Sequence, residues 1–224
     1  MEFLNYGYYI VEPIPTPESF NLKSKNILTV GCLCELHPQL VGCYYDKSYG
    51  NGRWYTHEEY QIKYQQELNL SDDEFQALKD FLKNRIYMPA PGERFAELAD
   101  ALHVVEKFLY TVPNLKIVSV KIEDIYEEMI SEQLKDFTKT PFFPNKNDGQ
   151  FIGYDIIGLE WGGFIHTYLC NGLQKDIAEK FPLTVNDYSL IQNPYEQVKE
   201  FADYIQGKGE PVYWIPVAMY EHTP

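Results

Sequence analysis

Basic residues are scarce in this chain. Its 224 residues carry 19 Lys and Arg against 33 Asp and Glu, which leaves a formal net charge of −14. Proteins that hold nucleic acid need clustered cations to neutralise phosphates, so no nucleic acid partner is expected, and no anionic membrane surface. Long apolar runs are missing too: none approaches the roughly 18 residues that a membrane-spanning helix requires. Cysteine is sparse, with four in all and two of them, Cys32 and Cys34, separated by one residue. Such a set makes no disulfide framework. The opening MEFLNYGYYIVEP has an acid at position 2 and no basic stretch, so it does not read as a secretory signal. Together these absences place the expected compartment in the cytoplasm.

What is present is ordinary for a folded chain: 45% hydrophobic and 23% charged residues, enough to bury a substantial core. A single domain over residues 1–224 is expected, with a loop at 138–150 (rich in Pro, Asn and Gly) as the boundary should it divide into two lobes. Tyr6–Val11, Asn26–Cys34 and Leu40–Tyr45 read as strands, and Asp46–Arg53 as a loop. Ser71 followed by Glu74 predicts a capping box ahead of a helix that buries Phe75, Leu78 and Leu82. The spacing of Phe95, Leu98, Leu102, Val105 and Leu109 predicts a second helix. The alternating run Leu115–Ile122 predicts a strand, and Glu123–Lys135 a helix with Ile125, Met129 and Leu134 inward. Pro194 opens a last helix that Gly207 and Gly209 end. Val212–Tyr220 reads as a terminal strand, placed at a sheet edge by Pro216. The pattern is α+β: a mixed β-sheet flanked by helices.

The densest chemistry lies in Phe151–Asn171, FIGYDIIGLEWGGFIHTYLCN. Here an apolar strand runs into glycines and then a pattern of helical spacing, a junction at which many α/β proteins place a ligand. Asp155 and Glu160 end the strand, and His166 and Cys170 come after it, four apart. A Cys–His pair beside carboxylates can serve as nucleophile and base, which defines one reading, a small hydrolase. Helical phase points elsewhere, since His166 and Cys170 then fall in the arc of Ile165, Leu169, Leu173 and Ile177, facing the core. Gly158, Gly162 and Gly163 are expected to bend the chain. They match neither GxGxxG nor the P-loop, and no cofactor is expected. Cys32, Cys34, His37 and Cys43 are metal-ligand types, but their spacing in one strand–turn–strand region suits buried thiols better than zinc, and no metal site is expected.

Two further signals point outward. Glu123, Asp124, Glu127, Glu128 and Glu132 form the densest acidic run, with like charges repeating every four residues along one helix face. Nineteen tyrosines is a large count, so many are expected to be at least partly exposed, and tyrosine is favoured in protein interfaces. The strings GYDIIGLEWGGFIHTYLCNGL, LTVNDYSLI and EPVYWIPVAMYE resemble, over residues 151–220, the C-terminal part of small uncharacterised bacterial proteins of the toxin-immunity type. The resemblance implies an immunity partner of a toxin and carries no catalytic residues with it. The expectation is therefore an acidic protein-binding protein, with no catalytic residues, that neutralises a basic protein partner. Glu123, Asp124, Glu127, Glu128, Glu132, Glu160 and Trp161 would be the contact residues. The hydrolase centred on Asp155, Glu160, His166 and Cys170 is the alternative.

Overall fold

The structure is a computed structural model that describes residues 1–31, 62, 65–66, 68–82, 85–87, 94–135, 141–144, 149–159, 165–169 and 172–223. Nine strands are described: β1 (Phe3–Val11), β2 (Ile14–Pro15), β3 (Asn26–Ile27), β4 (Ile86–Tyr87), β5 (Arg94–Phe95), β6 (Lys116–Glu123), β7 (Gln150–Leu159), β8 (Ile165–Thr167) and β9 (Tyr213–His222). The helices are α1 (Asp72–Leu82), α2 (Leu98–Phe108), α3 (Glu127–Leu134), α4 (Gln174–Glu179) and α5 (Tyr195–Ile205). Seven strands form one sheet in the order β4-β5-β1-β6-β9-β7-β8, and β2 pairs with β3 apart from it. The α+β class is as expected. The mixed sheet resolves into one that is antiparallel at each pairing among the described residues.

Period-two alternation explains the layers, because successive side chains on a strand point to opposite faces. On β6, Val118, Val120 and Ile122 join Ile215, Val217 and Met219 of β9, Ile157 and Leu159 of β7, and Tyr126, Ile130 and Leu134 from α3 and the turn before it. This is the inner face. Ile117 points the other way and packs with Tyr8 and Ile10 of β1 against α1 and α2. At the far end of that outer face, Ile156 and Trp214 pack against Val198, Phe201, Ala202 and Ile205 of α5. Both faces of the central strands are thus covered.

Local signals account for the helix ends. The capping box forms: Glu74 N donates to Ser71 Oγ at 3.3 Å, and Ser71 N donates to the Glu74 carboxylate at 2.8 Å. Phe75, Leu78 and Leu82 are buried as expected. In α2 the phase differs, since Phe95 belongs to β5 and the buried positions are Ala101, Val104 and Phe108, with Leu98, Leu102 and Val105 half-covered. Gly207 (φ +73°) and Gly209 (φ +71°) lie just past α5 in the left-handed conformation that ends helices.

Several expectations need correction. Asn26–Cys34 is a strand only at Asn26–Ile27 within its described part, and 28–31 run on without sheet pairing. The strand at 40–45, the loop at 46–53, the residues Cys32, Cys34, His37 and Cys43, and most of the loop at 138–150 lie outside the described residues. Of the described part of that loop, 141–144 pairs with β1 through Asn5 and Phe143, and Gln150 opens β7. β9 is not an edge strand: it lies between β6 and β7. Pro216 is tolerated because pairing with β6 stops at Ile122↔Val217, so the proline sits one residue past the last β6 pair and pairs only with Ile156 of β7. Finally, Gly158 does not bend the chain. It lies inside β7, where a Cβ would come within 2.4 Å of Val212 Cγ2 and 2.9 Å of the Trp214 ring. The missing side chain makes room for buried Trp214.

Gly158→Ala should therefore cost about 1–3 kcal/mol, the usual range for overpacking a core. Urea unfolding measures it, and an unchanged midpoint would show that Trp214 can yield.

Candidate functional site

The acidic run between β6 and α3 divides into two parts. Glu123 is the last residue of β6 and is buried. Its Oε2 accepts hydrogen bonds from the Tyr195 hydroxyl (3.0 Å) and from Lys199 Nζ (3.1 Å), two residues one turn apart on α5. It is an interior anchor and not a member of the exposed patch. The Glu123 carboxylate and burial together hold the Tyr195 phenol well above its ordinary titration range, with burial the larger cause.

Asp124, Glu127, Glu128 and Glu132 are exposed. The expected inward face of this segment is corrected at Ile125, which is 56% exposed. The reason is a 3₁₀ turn over Asp124–Tyr126, which winds about three residues per turn and so offsets the phase of the helix behind it. Tyr126, Ile130 and Leu134 are the buried positions, four apart. Ile125 and half-buried Met129 are left in an open groove of about 620 Å³, lined also by Glu128, Ser131 and Glu132. An apolar strip with a carboxylate rim results. Lys135 pairs with Glu132 at its lower end.

The 151–171 segment is organised otherwise than expected. Residues 165–167 form β8, not a helix, and pair with β7 as Ile157↔Thr167, Gly158↔His166 and Leu159↔Ile165. The helical run starts only at Gln174. His166 lies opposite Gly158, on the outer face with Tyr154 and Ile156, and is half-buried. Asp155 is three residues from Gly158, an odd number, so its side chain points to the inner face beside Ile157. The sheet does not bring Asp155 and His166 to one side. Glu160, Trp161 and Cys170 lie outside the described residues, as do Gly162 and Gly163. Among the described residues no group of three or more His, Cys, Asp or Glu could hold a metal ion.

Asp155 is nonetheless unusual. It is 2% exposed; the Thr29 hydroxyl donates to its Oδ2 at 2.6 Å and the Ile156 N–H to its Oδ1 at 2.8 Å. Thr29 Oγ1 in turn accepts from Gly31 N at 3.0 Å. Burial outweighs both bonds and raises the carboxyl to about 7.

A second polar row escaped the sequence reading. Ser119, Lys121 and Glu123 share the outer face of β6, between the cluster under α1 and α2 and the one under α5. Ser119 Oγ lies 2.9 Å from His222 Nε2, and Lys121 Nζ sits 4.4 Å from the centre of the Tyr220 ring. Phe151 touches both Tyr154 and Tyr220 edge-on, and Tyr154 touches Tyr195. The alternation in KIVSVKIE announces the shared face; it does not announce that the face is covered.

Comparison with protein-family models, with curated proteins and with solved structures finds no match. No helix among the described residues is long and apolar enough to cross a membrane.

The titration of Asp155 gives a prediction. An unfolded Asp titrates near ~3.9 and the folded one at about 7, so between those values the folded state holds the extra proton. Stability from this group is complete below about pH 4 and declines as pH rises to about 7, by up to roughly 4 kcal/mol. Asp155→Asn should remove that decline. Urea unfolding of both proteins across the window checks it, and parallel pH profiles would count against a raised carboxyl.

Proposed function

We propose that this chain is an acidic binding protein that captures a basic protein partner on its α3 face. One observation carries the reading: Ile125 stands more than half exposed in a groove whose rim is Glu128 and Glu132, with Asp124 and Glu127 alongside. Exposed isoleucine is costly to leave in water and gains most where a partner covers it. Carboxylates around such a centre speed the encounter with a cationic surface and disfavour acidic competitors. The net charge of −14 extends the same field over the molecule. Capture of this kind is what an inhibitor or a toxin-immunity protein does: it covers the partner's working surface and needs no chemistry of its own. In a bacterial cytoplasm the partner would be a basic toxin domain.

The hydrolase alternative draws less support. Asp155 and His166, the two described members of that set, lie on opposite faces of the sheet.

The test separates steering from contact. Glu128→Lys/Glu132→Lys should slow association with the basic partner recovered from the native host, lowering affinity on the order of tenfold at low salt. Ile125→Ala should instead speed dissociation. Both substitutions are exposed, so circular dichroism should be unchanged. A partner bound equally well by all three proteins, or bound with no dependence on salt, would rule out this face.

A further inference from the structure

A buried cation lies on the inner face at the opposite end from Asp155. Arg94 is fully buried, yet no carboxylate among the described residues pairs with it. The register Tyr8↔Phe95 explains how it got there: Phe95 joins the outer cluster, so its neighbour Arg94 turns inward. The side chain crosses β1 at Gly7, where a Cβ would meet Arg94 Cδ at 2.8 Å, and its guanidinium carbon lies 3.9 Å from the centre of the Tyr6 ring. Nη2 donates to the Pro141 carbonyl at 3.1 Å. Among the described residues Nε makes no well-directed hydrogen bond, the Tyr6 hydroxyl has no partner, and the Tyr9 hydroxyl, also shielded from water, lies against the Arg94 guanidinium without a well-directed bond. Tyr9 lies close enough to feel both the guanidinium and Tyr6.

A guanidinium does not shed its proton, so two ring faces, Tyr6 and Phe143, and one carbonyl compensate its charge only in part. Under-used donors beside a cation are what an oxyanion satisfies: Nε and Nη2 form the fork that a carboxylate or phosphate fits, and the Tyr6 and Tyr9 phenols lie next to it. The cover over this place is short. Segment 141–144 is held down by Phe143 N donating to Asn5 O (2.8 Å), Asn5 Nδ2 donating to Pro144 O (3.3 Å) and the Arg94–Pro141 bond. We propose that Arg94, Tyr6 and Tyr9 form a binding site for a small oxyanion, a carboxylate or a phosphate, which enters by displacing the Pro141 carbonyl from Arg94.

Thermal unfolding of the full chain in sodium acetate, sodium phosphate and sodium chloride, at matched ionic strength and neutral pH, tests this. The wild type should gain a saturable rise in Tm with acetate or with phosphate beyond that in chloride, and the anion that gives it identifies the ligand chemistry. Tyr9→Phe should weaken half-saturation roughly fivefold, the equivalent of one hydrogen bond. Arg94→Met, which removes the cation and keeps an apolar stem, should abolish the rise. If that variant fails to fold, the Tyr6→Phe/Tyr9→Phe double variant should lose most of the rise. A rise shared by the variants is general salt stabilisation, and it overturns the site, as does a wild type that responds no more than in chloride.

Discussion

Burial of both faces of the β6–β9 pair is the constraint on which the rest of this structure depends. The inner row, Val118, Val120 and Ile122 against Ile215, Val217 and Met219, is apolar and asks nothing of its neighbours except volume. The outer row is Ser119, Lys121 and Glu123, and each must find a partner under the helices, because an unpaired polar group out of water costs more than a hydrogen bond returns. Glu123 finds Tyr195 and Lys199, and this choice fixes the face that α5 turns to the sheet. Just past the end of the same helix, Gln206 accepts a hydrogen bond from Trp214 N at 3.1 Å, which ties the end of α5 to β9. Trp214 then needs the space that Gly158 leaves on β7. One buried carboxylate is thereby linked, contact by contact, to the absence of a side chain two strands away.

The same carboxylate sets how the acidic run is displayed. Glu123 is held inside, and the next residue opens the 3₁₀ turn from which α3 starts. Because the anchor and the turn are adjacent, Tyr126 falls inward and Ile125 outward, and the remaining acids line the rim of an apolar strip. Charges of one sign crowded on a short helix repel, and the exposed pair Lys135–Glu132 offsets little of that in water. Under the proposed function this repulsion is relieved by the partner's cations, so the acids contribute to binding what they withhold from the stability of the free protein.

Much of this was legible in the residues, and the failures share a cause. The capping box at Ser71, the alternation of 116–123 and the proline-to-glycine span of α5 are local signals, and local signals decide where long-range pairing does not compete. Leu169, Leu173 and Ile177 are buried, as their spacing says, yet residues 165–167 of the same apparent helix are a strand because β7 offers them a ladder. Burial was readable there and secondary structure was not. Pro216 misled for the same reason: its cost depends on where pairing with a neighbouring strand stops, which no window of sequence contains. Glu123 read as one acid among five, and only the approach of Tyr195, more than seventy residues on, separates it from the rest.

The charges on the inner face are the least legible of all, and they differ in kind. Asp155 and Arg94 are both placed by register, Asp155 by its position on β7 and Arg94 by the pairing of β5 with β1. A buried carboxyl can lower its cost by taking up a proton, and the rise of Asp155 to about 7 is that response. A buried guanidinium has no neutral form within reach, so it lowers its cost only by acquiring a counter-charge or by leaving the interior. Arg94 cannot leave, because its stem is laid across the opening at Gly7 and its head against Tyr6. Among the described residues no negative charge pairs with this cation, whose place arises from the pairing of two short strands rather than from any motif.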